Sequence, residues 1–303
     1  MVLPGIHLHT VQNHLLATVV PATDMLSAVS EDREEMARAG YEHVDGQVAA
    51  EATARWWSAE AGDYLAEHGS FLGDADFCWC PEGLRESEAQ LLGPLEQLRG
   101  KRVLEIGAGA AQCSRWLVSQ GVEVVATDVA EGMIAAAAEL DARTGIAVPA
   151  QVADARDLPF LDDSFDVVFT AFGALPFVAD AGAVHSEVAR VLADGGRWVF
   201  SVTHPLRWAF PDDPTTAGLT AVRSYFDRTP YVELDEADRP IYAEFHRTIG
   251  DHVRDVVDAG FTLVDLVEPE WPAGHDGVWG GWGPERGAIL PGTLIVVARA
   301  PRS

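Results

Sequence analysis

The stretch VLEIGAGAA, residues 103–111, decides the fold of this chain. Its apolar start is typical of a buried β-strand, and the glycine turn that follows leads into a helical pattern. Gly107 and Gly109 would let a ligand approach the backbone beside the positive end of that helix. Asp128 ends the next predicted strand, 21 residues after Gly107, where a carboxylate can accept hydrogen bonds from both hydroxyls of a ribose.

Strands and helices alternate on the C-terminal side of this stretch. The predicted strands are KRVLEIG, VEVVATD, AVPAQVA, FDVVFTAF, GGRWVFSVT, FTLVDLVE and TLIVVAR. The predicted helices are AQCSRWLVSQG, EGMIAAAAELDARTG, residues 181–192 and HRTIGDHVRDVVDAG. This order predicts an α/β fold with a doubly wound, mostly parallel, seven-stranded sheet that helices cover on both faces.

Other segments surround the predicted sheet domain, residues 100–303. Residues 1–48 show no sustained period and form an N-terminal extension to which we assign no function. Residues 49–99 are a helical cover segment, with one helix over Ala49–His68 that Gly69 ends and a second over 84–98. Within the sheet domain, residues 204–244 are an insertion that we expect over the strand ends, covering the substrate. A loop rich in Trp and Gly spans 269–292.

The phase of the first predicted helix comes from Ala52, Trp56, Ala59 and Tyr64, which lie near helical spacing. We expect this face to pack against the rest of the protein.

Composition limits the classes of partner. The chain has 47 Asp and Glu against 21 Lys and Arg, a net charge of −26, which repels nucleic acid. No apolar run reaches the ~20 residues of a membrane span, and no basic start resembles a secretory signal. Cys78, Cys80 and Cys113 give neither a disulfide framework nor zinc-site spacing. We expect a soluble, cytoplasmic protein without a metal site, although a metal held by His204 and His246 stays open.

Two cofactor classes fit the glycine turn, a dinucleotide and S-adenosylmethionine. The dinucleotide pattern needs a small residue at position 112, which is Gln here, whereas the other pattern needs small residues at 107, 109 and 111. Together with DARDLPFLDDSFDVVF and EVARVLADGGRWVFS, the turn resembles class I S-adenosylmethionine-dependent methyltransferases, especially the group that includes ubiquinone and menaquinone C-methyltransferases. The resemblance covers about residues 100–203. Ala111 departs from the commoner third glycine.

The resemblance implies a Rossmann-like methyltransferase fold and a role for each matching residue. Glu105, Gly107 and Gly109 would line the methionine end of the cofactor, and Asp128 would hold the ribose. Asp154 would accept a hydrogen bond from the adenine amine. The complete set of cofactor-binding residues that it implies is Glu105, Gly107, Ala108, Gly109, Asp128, Val129, Met133, Asp154, Ala155, Ala171 and Phe172.

We expect the substrate-binding residues outside the shared core, because most of the tryptophans lie outside residues 100–203. Aromatic walls suit a small apolar or aromatic substrate, so we predict contacts from Trp79, Trp208 and Trp279. Arg286 could bind a substrate carboxylate. For a general base we predict His204, which directly follows a strand, with His246 in reserve.

The leading hypothesis is therefore methyl transfer to an O, N or C atom of a small organic molecule. A NAD(P)-dependent oxidoreductase is one alternative, because the dinucleotide pattern is similar. A noncatalytic S-adenosylmethionine-binding protein is another, because a fold does not by itself fix an activity. The sequence leaves the oligomeric state open.

Overall fold

The structure is a computed structural model that describes residues 36–301, so the first part of the predicted N-terminal extension lies outside the described residues. The strands are β1 (Arg38–Tyr41), β2 (Arg102–Ile106), β3 (Glu123–Asp128), β4 (Ala150–Val152), β5 (Phe165–Ala171), β6 (Leu192–Thr203), β7 (Tyr231–Leu234), β8 (Pro240–Glu244), β9 (Thr262–Val267) and β10 (Thr293–Arg299). The helices are α1 (Gly46–Leu72), α2 (Glu86–Ala89), α3 (Leu95–Leu98), α4 (Gln112–Ser119), α5 (Glu131–Thr144), α6 (Ala181–Val191), α7 (Ile249–Asp258) and α8 (Pro284–Gly287).

The main sheet has seven strands in the order β4-β3-β2-β5-β6-β10-β9, which confirms the predicted fold class. Strand β10 is antiparallel to both of its neighbours, and the other pairs are parallel. The chain moves from β2 outward to β4 and then returns to place β5 on the other side of β2. The reversal point between β2 and β5 is where ligands bind in open parallel sheets.

Both faces of the sheet are buried at its five central strands, which explains why those strands are largely apolar, whereas the edge strands β4 and β9 are mostly exposed. Leu104 and Val168 pack into one core with helix α6, while Val103 and Phe169 pack into a second core beneath α4. Because successive side chains of a strand point to opposite faces, neighbouring residues belong to different cores.

Helix α1 is longer than the predicted Ala49–His68. Asp45 caps its start by accepting hydrogen bonds from the backbone amides of Gln47 and Val48. The helix continues through Gly69, because one interior glycine costs only about 1 kcal/mol. It ends at Gly73, whose φ of 73° suits glycine.

The single helix predicted over 84–98 is wrong, because α2 and α3 are two separate short helices. Gln90 ends α2 in the left-handed region at φ 49°, and Gly93 also has a positive φ of 114°. Pro94 then precedes α3 as its N-cap residue.

The insertion at 204–244 contributes β7 and β8 to a separate antiparallel sheet, in the order β1-β7-β8. Its apolar side packs on α1, where Ala49 meets Val232, Leu234 and Ala243. Helix α1 in turn covers the carboxyl ends of the main sheet. The insertion therefore packs on the outer side of α1, away from the main sheet.

Candidate functional site

A cavity lies at the carboxyl ends of β2, β3 and β5, beside the reversal point of the main sheet. Helix α1 and the loop containing Trp279 close it. Every residue that the resemblance assigned to the cofactor lines it: Glu105, Gly107, Ala108, Gly109, Asp128, Val129, Met133, Asp154, Ala155, Ala171 and Phe172.

The glycine turn is shaped by the turn that follows β5. Gly107 has a φ of 61°, and a Cβ there would lie only 2.6 Å from the backbone nitrogen of Ala174. A Cβ on Gly173 would lie 2.4 Å from the carbonyl oxygen of Gly107. The two turns therefore pack backbone against backbone, a reason for glycine in addition to ligand approach.

Strained backbone marks the β5 side of this contact. Phe172 and Ala174 both have positive φ, at 63° and 30°, which non-glycine residues rarely adopt. The amide of Phe172 donates to the Ser201 hydroxyl at 2.8 Å, and that hydroxyl donates to the Trp79 carbonyl at 2.8 Å. This relay holds Phe172 at the cavity wall, and residues held in such strain cluster at functional sites.

Two buried carboxyls face the cavity from the ends of β2 and β3. Glu105 is 2% exposed, and burial raises its pKa to about 8, although the Ser114 hydroxyl and amide both donate to it. Burial also raises the pKa of Asp128, whose two oxygens accept from the amides of Gly109 at 2.8 Å and Ala130 at 2.9 Å. Each Asp128 oxygen keeps a lone pair for a ligand hydroxyl.

Asp154 is paired with an arginine that the sequence analysis did not single out. The Arg156 guanidinium donates to both Asp154 oxygens, at 2.6 to 3.1 Å. Burial opposes ionisation of Asp154, but the Arg156 hydrogen bonds hold its pKa below the ordinary value. The pair lines the cavity and fixes the direction of the carboxylate.

Two buried polar atoms at the cavity have no hydrogen-bond partner within the described part of the chain. They are the Thr53 hydroxyl on α1 and the Gln112 side-chain nitrogen at the start of α4. Buried polar groups are normally paired, so these atoms fit a site that holds a polar ligand.

Aromatic rings form the opposite wall. Trp57 and Tyr64 come from α1, and Trp279 stacks on His68 with ring centroids 3.7 Å apart. Of the three predicted substrate tryptophans, Trp279 alone lines this cavity.

The other predicted substrate contacts need correction, because those side chains are used inside the protein. Trp79 is fully buried against Phe77 and Phe169, and its indole nitrogen donates to Glu86 at 2.8 Å. Trp208 packs beneath the second sheet with Tyr231 and Tyr242.

Arg286 also lies away from the cavity. Its guanidinium is fully buried, lies over the Trp282 ring at 4.1 Å and donates to the backbone carbonyls of Pro211 and Gly281. It is not among the cavity-lining residues, so we withdraw its predicted contact with a substrate carboxylate.

The predicted base needs the same correction. His204 is fully buried, its Nδ1 accepts from the Leu206 amide, and its Nε2 lies 2.9 Å from the Glu268 carboxylate. Both nitrogens are therefore engaged, Nδ1 in capping the start of the insertion and Nε2 with the carboxylate that follows β9. His246 stacks on Trp208 and binds the Tyr225 carbonyl through Nε2 at 2.7 Å. Neither histidine is among the residues that line the cavity.

Sequence reasoning predicted the helical cover at α1 but did not identify most of the face that lines the cavity. Ala50, Trp57, Tyr64 and Phe71 recur every seven residues, and all of them line the cavity. Seven residues make about two helical turns, so this spacing was the available signal. The predicted face shares Tyr64 with this run, but its other members, Ala52, Trp56 and Ala59, are offset from it.

Within residues 36–301, none of the helices combines the length and the apolar character that a membrane span needs. Nor does any group of three or more His, Cys, Asp and Glu side chains converge in that range as a metal ion would require.

The central part of the chain is similar in sequence to known methyltransferases. Residues 103–196 match the family described as a methyltransferase domain. The demethylmenaquinone methyltransferase of Mycobacterium sp. (strain KMS) is 41% identical over 116 residues, which cover 38% of this chain and 45% of that protein. This chain therefore matches about half the length of that curated relative.

Two solved structures share the fold. A S-adenosylmethionine-dependent methyltransferase from Mesorhizobium loti has a TM-score of 0.54 at 24% identity, covering 71% of this chain and 97% of that one. The 1,6-didemethyltoxoflavin-N1-methyltransferase of Burkholderia thailandensis, which holds 1,6-didemethyltoxoflavin and S-adenosylhomocysteine, has a TM-score of 0.52 at 19% identity. It covers 90% of this chain and 98% of its own.

Proposed function

We propose that this protein is an S-adenosylmethionine-dependent methyltransferase that transfers a methyl group to a small organic molecule, because residues 103–196 match the family described as a methyltransferase domain. One observation carries the proposal: a single cavity joins the glycine turn and its carboxyls to a wall of aromatic rings. The glycine turn and the carboxyls suit the cofactor, and the aromatic wall suits a methyl acceptor.

The chain supplies candidate partners for the ribose hydroxyls, the adenine amine and the methionine amine of the cofactor. Asp128, held by two backbone amides, would accept hydrogen bonds from the ribose hydroxyls. Asp154, held by Arg156, would accept one from the adenine amine, with Ala155 beside the base. Glu105 would face the methionine amine. Gly107 and Gly109 would leave room for the methionine part.

The remaining assigned residues shape the apolar parts of the cofactor site. Ala108, Val129 and Met133 lie along the same wall as the ribose and adenine partners. Ala171 and Phe172 would stand beside the transferable methyl group.

The cofactor would supply an electrophilic methyl carbon, and the protein would align the acceptor with it. Holding two reactants in line can contribute about 7 to 11 kcal/mol to catalysis. No histidine lines the cavity within residues 36–301, so we assign catalysis chiefly to this alignment and to exclusion of water. The acceptor atom is O, N or C.

The nature of the partners follows from charge and from the relatives. A net charge of −26 supports a small-molecule substrate over nucleic acid. The Mycobacterium and Burkholderia enzymes are named for small organic acceptors, which supports the same class here. We place the reaction in the cytoplasm, in keeping with three free cysteines at the cavity.

Calorimetric titration with S-adenosylmethionine, S-adenosylhomocysteine and NAD tests the cofactor. Saturable binding of the first two is expected, and binding of NAD alone would overturn the proposal. Incubation with labelled cofactor and a metabolite extract, followed by mass spectrometry, should then reveal a methylated product. Cofactor binding without any product would favour a noncatalytic binding protein.

A further inference from the structure

The aromatic wall of the cavity is a continuous run of five rings. Phe177, Trp57, Tyr64, Trp279 and Phe71 follow one another, and all of them line the cavity. Successive ring centroids lie 5.5, 5.5, 6.1 and 6.0 Å apart. A cation interacts with a ring only within about 6 Å of its centroid, so one sulfonium group cannot account for the whole run. The wall is large enough for a second molecule.

The charged side chains around the cavity leave no cation for that molecule. Arg156 is the one Lys or Arg among the described lining residues, and both Asp154 oxygens already hold it. Asp76 is paired with Arg85 at 3.1 Å. Glu105 and Asp128 are carboxyls. An anionic acceptor would therefore lose its water without gaining a positively charged side chain, which weakens its binding on the order of 100-fold.

The wall does offer one polar anchor. Thr53 lies four residues before Trp57, on the same face of α1, and is 3% exposed. Its hydroxyl has no partner within the described chain, and it can donate or accept a hydrogen bond. A neutral hydroxyl, carbonyl or ring nitrogen would satisfy it.

We propose that, if the protein is a methyltransferase as inferred above, its acceptor is a flat, uncharged aromatic molecule that binds along the five rings and excludes anionic analogues. Aromatic stacking contributes about 0.5 to 1.5 kcal/mol beyond area burial, which is about 3- to 10-fold in affinity. Because no free Lys or Arg lines the cavity within the described residues, an anionic analogue should bind more weakly than the neutral molecule by a larger factor, on the order of 100-fold or more.

The test uses the full chain saturated with S-adenosylhomocysteine and three probes of matched size. These are 2-naphthol, 2-naphthoate and decahydro-2-naphthol, with affinities measured by calorimetry. We expect 2-naphthol to bind at least about 100-fold more tightly than 2-naphthoate and about 3- to 10-fold more tightly than the saturated alcohol. Sinefungin, whose amine carries a positive charge, should replace S-adenosylhomocysteine without reversing this order.

Two variants locate the binding surface. Trp279→Leu should weaken 2-naphthol binding about 3- to 10-fold and leave S-adenosylhomocysteine affinity unchanged, because it removes one ring from the run. Trp271→Leu is the matched control: Trp271 stacks on His275 in the same loop, does not line the cavity and should not alter 2-naphthol affinity.

The outcomes separate the two proposals. Failure to bind S-adenosylhomocysteine would remove the methyltransferase function itself. If S-adenosylhomocysteine binds but 2-naphthoate matches or exceeds 2-naphthol, or none of the probes binds, the acceptor proposal is wrong and the function stands. Equal effects of Trp279→Leu and Trp271→Leu would also overturn it.

Discussion

Replacing Glu105 by Gln tests the electrostatics of the cavity. Glu105 is almost fully buried at the end of β2, and burial raises its pKa from 4.5 to about 8. The unfolded chain loses this proton near 4.5, whereas the folded protein keeps it until about 8. Between these values the folded state binds more protons, so the free energy of unfolding falls as pH rises.

The size of the effect follows from the same pKa shift. Each pH unit inside the window costs at most about 1.4 kcal/mol, and the whole window at most about 5 kcal/mol. Gln does not titrate, so the free energy of unfolding of Glu105→Gln should rise relative to that of the parent by up to this amount for each pH unit. Denaturant unfolding at intervals from about pH 5 to pH 8 measures it. Glu139→Gln, an exposed carboxyl on α5, makes the same charge change and should track the parent.

Cofactor binding gives a second readout of the same group. An ammonium group near Glu105 should lower its pKa, so binding near neutral pH should release up to about one proton. Calorimetry in two buffers of different ionisation enthalpy measures that proton, and Glu105→Gln should abolish its release. The reasoning would be refuted if the difference in free energy of unfolding between Glu105→Gln and the parent stayed constant across the pH range and the parent released no proton on binding.

Three further substitutions probe the other parts of the site. Asp128→Ala should weaken cofactor binding by about 2 to 4 kcal/mol in calorimetry, since two charge-assisted hydrogen bonds are lost, and unchanged affinity in a folded variant would contradict the ribose assignment. Gly107→Val should abolish cofactor binding and lower the melting temperature, because its Cβ would meet the Ala174 backbone; normal binding would disprove the close packing. His204→Ala should lower the free energy of unfolding by about 1 kcal/mol through the lost cap, yet leave turnover within about threefold of the parent, whereas a loss of about 100-fold would restore it as the base.

The part of the cavity at the glycine turn was predictable because its requirements are local. The turn that follows β2 needs glycine at position 107 for a positive φ, and Asp128 ends the adjacent parallel strand one helix later. Both constraints are written in short, contiguous stretches of sequence. The insertion was not predictable in the same way, since β7 pairs with β1 from the other end of the chain.

The position of His204 shows the limit of reasoning from strand ends. The residue does follow the carboxyl end of β6, as predicted, but β6 lies between β5 and β10 and does not adjoin the reversal point. Its ring turns back to cap the helical turn that begins at Pro205. A position directly after a strand is therefore not enough to predict that a residue contacts the ligand. The order of the strands in the sheet decides which strand ends lie at the ligand site.

Helix α1 was difficult to phase because it is buried on more than one side. Trp56 packs on Tyr242 of β8 with centroids 4.8 Å apart, whereas the adjacent Trp57 lines the cavity. A helix covered on both sides shows no single apolar stripe. On a third side, a Cβ at Gly132 of α5 would lie 2.1 Å from the carbonyl oxygen of Ser58, so α5 and α1 are in direct backbone contact. The three contacts pack α1 against its neighbours, and we predict that the width of the proposed acceptor region depends on the rings at Trp57 and Tyr64. Substitutions at these two positions should therefore change which acceptors fit while leaving the carboxyls of the main sheet in place.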